Sequence, residues 1–355
     1  MAAMRIAYFC HVNGGSRSGV FHKIGGQVDL WRREGHEVRV FLATRDDVEQ
    51  WRSRLGDSRV CRYAGPLSRL RAMVELVRSV RRFRPDVIYL RWDLFYPPML
   101  AFPRRVPLVV DINTNDVVEY ALGTKGRAIY NARTRGLVMG RARALVFISD
   151  DLSRKSAFRG FRATHYVITN GVDLTAYPSL PSPENDQPRL VFVGSAGQPW
   201  HGLDKVLALA RLRPAWGFDI VGMTEGEGSP PNVTWHGSLN RDEVIHVLAQ
   251  ADVGIGSLAL HRNQMFGGSP LKVREYLAVG LPVLYAYDDA DADVLDGYVL
   301  SIANTESAIN DEIDRIDEFV NRSMGARVPR SSVGHISTAA KEQQRLALFE
   351  AVARA

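Results

Sequence analysis

The stretch Phe266–Leu284, FGGSPLKVREYLAVGLPVL, decides how the rest of the chain is read. It predicts a glycine-rich loop, a short helix, a tight turn and a buried strand. Gly267 and Gly268 carry no Cβ and let the backbone pass close to a ligand. Ser269 is the expected N-cap and Pro270 the expected first helical residue, where a missing N–H costs nothing. The helix is expected over Leu271–Val279, with Leu271 and Leu277 on its buried face, Gly280 ending it and Pro282 as a stop. Free N–H groups at such a helix start attract an anion, phosphate above all. Lys272 in the first turn adds a positive point charge. Glu275, one turn later, can accept hydrogen bonds from the two hydroxyls of a ribose.

Working outward, the segments on both sides alternate strand and helix. Pro282–Tyr287 reads as a strand. Asn232–Gly237 (NVTWHG) and the following SLNRDEVIHVLAQADVGI read as strand, helix, strand. Arg189–Gly194 (RLVFVG) is a buried strand, and Gly194, Ser195 and Gly197 form a second glycine-bearing loop before a helix from about Leu203. Nearer the N-terminus, Arg5–Cys10 reads as a strand, His11–Gly19 as a loop containing Gly14 and Gly15, Val20–Glu34 as a helix and Val38–Leu42 as a strand. Ile24, Val28 and Trp31 share one face of that helix. No G-x-G-x-x-G is present, so a dinucleotide fingerprint is unsupported. Strands Val87–Leu90 and Leu108–Val110 are each followed by polar residues: Arg91, Trp92 and Asp93 after the first, and Asp111, Asn113, Asn115, Asp116 and Glu119 after the second. Ligands bind beyond the carboxyl ends of parallel strands, which makes both clusters site candidates. Strands are also expected at Ala144–Ile148, with Ser149 capping the next helix, and at Tyr166–Ile168. Pro178–Pro188 (PSLPSPENDQP) reads as a linker, and Thr338–Ala353 as a terminal helix with Leu346, Phe349 and Val352 apolar. The whole pattern predicts an α/β protein of two doubly wound domains.

The opening stretch, written S-P-L-K-x-x-E-Y-L-A-x-G-x-P-V, resembles the donor-binding signature of the GT-B glycosyltransferases, specifically glycosyltransferase family 4. The resemblance implies two Rossmann-like domains facing a central cleft. These would be an acceptor-side domain over 1–170, a nucleotide-sugar domain over 171–335 and a terminal helix, 336–355, crossing back to the first domain. Family members usually carry two glutamates eight positions apart. Glu275 matches the second, the ribose ligand, while the first falls on Gly267. Asn170-Gly171-Val172-Asp173 resembles the family's marker of the crossover. His201-Gly202 stands where Lys-Gly is common, so His201 becomes a phosphate candidate and positive charge rests more heavily on Lys272, with Lys205 a lesser contributor. The implied donor site comprises Gly15, Gly194, Ser195, His201, Gly268, Ser269, Pro270, Leu271, Lys272 and Glu275. Trp235, Gly237 and Leu239, in the loop near Trp235–Leu239, would approach the nucleotide base. Lys23 would reach donor phosphate or acceptor, or be a solvated lysine. The segment VPLVVDINTNDVVEY resembles the start of a polar acceptor-side loop. There Asn113 is a candidate to bond a sugar hydroxyl and Asp111 to do the same or act as an acid–base group; N-capping by Asn115 or Asp116 accounts for part of the cluster. Lys272, Asn113 and Asp111 form the candidate catalytic set.

Composition bounds these readings. The chain has 355 residues, long for one core and natural for two domains. No apolar run approaches the roughly 20 residues of a membrane span, and the start, MAAMRIAYFC, lacks the pattern of a signal peptide. Cys10 and Cys61 make neither a disulfide framework nor a metal site, which points to reduced thiols in a cytoplasmic protein. Residues 1–168 carry 30 Lys+Arg against 15 Asp+Glu, a net +15; the remaining 15 against 24 give −9, and together they make the overall +6. A basic first half suits an anionic partner: a phospholipid surface, a lipid-linked phosphate or nucleic acid. The helix expected at Leu67–Phe83, with Leu70, Met73, Val74 and Val77 apolar and Arg69, Arg71, Arg78, Arg81 and Arg82 basic, is either a core-packed helix with a solvated face or a peripheral patch for the inner membrane face. Nucleic acid is set aside, because no aromatic-plus-basic recognition motif is visible. Asp291-x-Asp293 matches a metal-binding D-x-D but sits in an aspartate-rich loop of the wrong architecture, so no metal or other cofactor is assigned.

The expected activity is metal-independent, retaining transfer of a hexose from a nucleotide diphosphate sugar, UDP- or GDP-linked, to a hydroxyl acceptor. The acceptor would be a saccharide, a lipid-linked molecule or a small molecule, in polysaccharide, glycolipid or other glycoconjugate biosynthesis. An epimerase or inverting transferase on the same fold, and a non-catalytic nucleotide-sugar-binding or membrane-associated protein, are the alternatives.

Overall fold

The computed structural model describes residues 3–15, 18–226, 228–292, 295 and 297–354. The chain forms two compact units, Met1–Ile168 with Lys341–Ala355, and Thr169–Ala340. The change of unit thus falls between Ile168 and Thr169, and the returning segment starts at Lys341.

The first unit is built on a seven-stranded parallel sheet of β1 (Arg5–His11), β2 (Glu37–Thr44), β3 (Ser58–Arg62), β4 (Val87–Arg91), β5 (Leu108–Ile112), β6 (Ala144–Phe147) and β7 (Thr164–Val167). Their spatial order is β3-β2-β1-β4-β5-β6-β7, which puts the reversal of direction between β1 and β4. The inner strands are near-continuous apolar runs because helices cover both faces of a parallel sheet. Helix Gly19–Arg33 buries Ile24, Val28 and Trp31 against this sheet. Leu346, Phe349 and Val352 of the terminal helix Thr338–Arg354 join the same core.

Two expectations change in this unit. Helix Pro66–Phe83 buries Met73, Leu76, Val77, Val80 and Phe83, while Val74 is only half-buried and Leu70 is exposed. The apolar stripe is therefore rotated from the one read in the sequence, with Arg71, Arg78, Arg81 and Arg82 outside it and exposed. Strand β5 runs on to Ile112, so Asp111 lies inside the sheet and is fully buried, not in a loop after it.

The second unit has a six-stranded parallel sheet of β8 (Arg189–Val193), β9 (Gly217–Val221), β10 (Val233–Gly237), β11 (Val253–Ile255), β12 (Val283–Tyr285) and β13 (Val299–Ser301), ordered β10-β9-β8-β11-β12-β13. The predicted linker is laid onto this unit. Leu180 N–H donates to Val279 O at 3.0 Å, Arg327 to Pro181 O at 3.0 Å, and Asn185 to Asp252 at 2.9 Å. Among the described residues, no helix is long and apolar enough to cross a membrane.

Candidate functional site

Helix Leu271–Val279 centres the candidate site of the second unit. Its N-cap is Pro270, with no side-chain cap, rather than Ser269. Ser269 is fully buried and otherwise employed: its hydroxyl accepts from Asn170 N–H at 2.9 Å and from Arg274 at 2.8 Å. Leu271 is half-buried, whereas Leu277 is buried. The helix ends at Gly280, whose φ of +96° only glycine adopts easily, with Leu281 N–H closing on Tyr276 O at 2.9 Å. The Tyr276 hydroxyl accepts from Val193 N–H at 2.7 Å, which ties the helix to the carboxyl end of β8.

At the front of this helix Val273 N–H bonds back to Pro270 O at 3.2 Å, and the amides of Leu271 and Lys272 have no preceding turn to bond to. Lys272 sits there. Its Nζ is buried, has no hydrogen-bond partner and lies 4.2 Å from the centre of the Phe192 ring. Burial pushes the ammonium down to about 7, and the charge of Glu275 opposes that shift. An unpaired buried cation is costly unless an anion compensates it. His201 stands nearby with Nδ1 buried and unpartnered. Burial and the Lys272 charge push its imidazole down to about 3, so the ring is neutral at pH 7. The charged role considered for His201 is thereby replaced by a neutral hydrogen-bonding one.

One turn along, the Glu275 carboxyl is raised by burial, against a hydrogen bond from Tyr177 and the charges of Arg241 and Lys272. The Arg241 guanidinium lies 4.3 Å over the Tyr177 ring and donates to Ala176 O. Neither Tyr177 nor Arg241 is marked by local sequence. Tyr177 follows a turn, Arg241 opens a helix, and folding alone brings them to Glu275.

Other predicted donor residues have settled positions. Ser195 is exposed on the loop after β8. Gly194 donates its N–H to Val221 O at 3.0 Å and Gly268 donates to Asp288 O at 3.0 Å, so neither amide is open to a ligand. Close approach explains Gly222: with φ +89°, a Cβ there would lie 2.0 Å from Gly194 O. Trp235 belongs to β10 rather than to a loop. Its indole donates to Ser229 at 2.7 Å and its ring packs on the core. Gly237 accepts from Gly222 N–H at 2.6 Å, and Leu239 is half-buried in the following turn. Lys205 is buried and bonds Glu306 through both its carbonyl, at 2.6 Å, and its carboxylate, at 3.0 Å, so it is not a phosphate contact.

Arg274, unnoticed in the sequence, is fully buried and organises the neighbourhood. It bonds Asp289 at 2.7 and 2.6 Å, Asp291 at 2.8 Å and Asn170 O at 3.3 Å. The two carboxylates thus serve as arginine partners; Asp293 lies outside the described residues. Among the described residues, no group of three or more His, Cys, Asp or Glu could hold a metal.

In the first unit the candidate catalytic pair is locked. Asn113 accepts from Lys23 Nζ at 3.0 Å and donates to Asp111 at 2.7 Å. Lys23 and Arg91 lie 3.8 and 3.5 Å from Asp111. Burial would raise the Asp111 carboxyl, but Lys23, Arg345 and Arg91 hold it down at about 2. Permanently ionised, buried and paired, Asp111 has no proton to exchange near neutral pH. Lys23 is buried rather than solvated, and burial pushes it down to about 7. The amides of Gly14 and Gly15 both donate to Asp46 at 2.8 Å, so this loop binds a carboxylate of its own chain.

A cluster that the sequence reading only brushed sits at the carboxyl ends of β1 and β4. His11 Nδ1 meets Asp93 at 2.6 Å, and Nε2 meets the Tyr63 hydroxyl at 2.5 Å. The Tyr120 hydroxyl donates to Asp93 at 2.9 Å, and the Tyr96 hydroxyl lies 3.2 Å from His11 Nδ1. Burial would raise the Asp93 carboxyl, yet bonds from His11 and Tyr120 and the charge of Arg127 hold it below its usual range.

Residues 18–171 match the Glycosyl transferase 4-like domain. No curated protein matches the chain in sequence. Among solved structures, sucrose-phosphate synthase from Thermosynechococcus elongatus superposes with a TM-score of 0.69 at 15% identity, covering 98% of this chain and 99% of that one. HepE of Anabaena, in complex with UDP and glucose, gives 0.64 at 17% identity, covering 98% and 99%. An α-glucosyltransferase in complex with UDP-glucose and DNA containing an abasic site gives 0.65 at 14%, covering 98% and 100%. The two Rossmann-like sheets and these likenesses establish the GT-B glycosyltransferase fold for the chain, and its residues 18–171 carry the match to a glycosyl transferase 4-like domain.

Proposed function

We propose that this protein is a retaining glycosyltransferase that moves a hexose from a nucleotide diphosphate sugar to a hydroxyl acceptor. One observation carries the reading: the buried Lys272 ammonium has no hydrogen-bond partner and stands in the first turn of helix Leu271–Val279. A diphosphate supplies the missing counter-charge, and the helix amides and Lys272 then stabilise the charge that grows on it as the sugar leaves. These groups provide the counter-charge without a metal ion. Glu275, one turn away, accepts from Tyr177 and is the residue we assign to the ribose hydroxyls.

Gly267 stands where a glutamate would otherwise contact the sugar, which argues against a carboxylate nucleophile from the chain there. In the mechanism we infer, the acceptor hydroxyl attacks the anomeric carbon on the face the diphosphate leaves. The new C–O bond forms as the anomeric C–O bond to phosphate breaks. The hydroxyl proton passes to a diphosphate oxygen, giving the nucleoside diphosphate and the glycoside with its configuration retained. Thermal-shift screening against uridine, guanosine and adenosine diphosphates and their sugars, followed by product anomer analysis, tests this. A stabilising diphosphate and an α-product from an α-linked donor are expected. Binding without turnover over a broad acceptor screen would make the chain a nucleotide-sugar-binding protein, and an inverted product would exclude the mechanism.

A further inference from the structure

The cluster around His11 is not among the residues assigned to the donor above, and its outer layer is a set of arginines. Arg45 and Arg69 both lie over the Tyr63 ring, at 5.4 and 5.7 Å, and Arg69 also lies 5.3 Å from the centre of Tyr96. Arg127 lies 4.5 Å over Tyr120 and 3.8 Å from Asp93. Some arginines of this unit pair with acids, as Arg5 does with Glu37, Arg39 with Asp57, Arg54 with Asp29 and Arg59 with Glu75. Among the described residues, Arg45 and Arg69 have no such carboxylate partner.

We propose that this cluster recognises an acceptor carrying an anionic group, a phosphate or a carboxylate, near the hydroxyl that is glycosylated; as an acceptor site it rests on the transferase reading above. The tyrosines divide the labour. Their hydroxyl ends hold the His11–Asp93 pair, and their faces hold the guanidiniums. Tyr63, Tyr96 and Tyr120 are buried, so the platform under the arginines is fixed. Both arginines are also anchored through the backbone: Arg45 N–H donates to Asn13 at 2.8 Å, and Arg69 N–H to Gly65 O at 2.9 Å in the first turn of its helix. Two cations over one ring repel each other. Stacking on the ring offsets this, and a bound anion removes the repulsion. Planar guanidiniums suit the paired oxygens of phosphate and carboxylate. The site lies where β1 and β4 diverge in the sheet order, the usual position of a ligand crevice. With both ring nitrogens engaged, His11 braces the platform instead of taking a proton from the acceptor.

The test is calorimetric titration of the full chain, without donor, by glucose 6-phosphate, glucuronate and glucose. The expected result is that at least one anion binds ten times or more tightly than glucose, and that its affinity falls with added salt. The choice between phosphate and carboxylate follows from which of the two does so. In the double variant Arg45→Gln/Arg69→Gln that affinity falls at least tenfold, while nucleotide binding and melting temperature are unchanged. Anions no tighter than glucose, or equally tight in the double variant, overturn the proposal. Because no donor is present, these outcomes are independent of whether the donor reading survives. If anion binding behaves as expected but no sugar is transferred over a broad screen of anionic acceptors, the anion site stands and the transferase reading falls.

Discussion

The buried Lys272 makes donor binding dependent on pH in a calculable way. In the free protein burial lowers this lysine to about 7. A diphosphate beside it restores the charged form and returns it towards the ordinary value of about 10.4, so binding takes up a proton above neutral pH. Affinity is then full below pH 7 and is lost as pH rises, in proportion to the fraction of free protein already deprotonated. Between pH 6.5 and 8.5 that fraction changes so that the apparent Kd weakens about 25-fold, close to 1.9 kcal/mol. The donor's own diphosphate, esterified at both ends, keeps its charge over this range. The assay is calorimetric titration with the best nucleotide sugar in buffers of different ionisation enthalpy, which also counts the protons taken up. Lys272→Arg separates this lysine from Glu275, whose carboxyl is also shifted: an arginine stays charged, so its affinity should be nearly flat with pH. Lys272→Met should bind weakly at every pH and yet melt higher at pH 7, because it removes an unpaired buried charge. A wild-type affinity constant within about twofold from pH 6.5 to 8.5, or a slope that persists in Lys272→Arg, would refute the reasoning.

Three further outcomes are expected. Glu275→Asp shortens the reach to the ribose and should raise the Kd for a nucleoside diphosphate about tenfold; an unchanged Kd in titration would remove the ribose role. Arg274→Met leaves Asp289 and Asp291 buried without their cation and should cost about 3–5 kcal/mol in denaturant unfolding, whereas a loss under 1 kcal/mol would show that the network is not structural. Gly222→Ala puts a Cβ 2.0 Å from Gly194 O at a φ of +89°, and a melting temperature within a degree or two of wild type would contradict that packing.

Much was legible in linear order. Most inner strands of both sheets could be read because parallel strands buried on two faces are nearly unbroken apolar runs, as in Ile6–Cys10 and Leu190–Phe192, whereas the edge strands β3 and β13, short and mixed in polarity, were not read. Helix Leu271–Val279 was bounded by its proline and glycine, which act through local backbone geometry. Features that depend on one or two residues of register were harder. Asp111 entered the sheet because β5 ran two residues further than its apolar core, and the buried stripe of helix Pro66–Phe83 turned away from Leu70.

The sequence by itself determined the doubly wound architecture and the position of Lys272 and Glu275 on one helix start, since both follow from periodicities and caps that act over a few residues. Tertiary structure alone decided which polar groups are already satisfied. Ser269 and Arg274 were taken up by Asn170 and the aspartates after β12, and Asp111 and Asn113 by Lys23, while Lys272 was left without a partner. Hydrogen bonds and ion pairs between distant segments are short-ranged in space and indifferent to sequence separation, so no local pattern records them. Tyr63 and Tyr96 come from separate loops and Tyr120 from helix Asp116–Ala121, and only folding gathers them around His11 and Asp93.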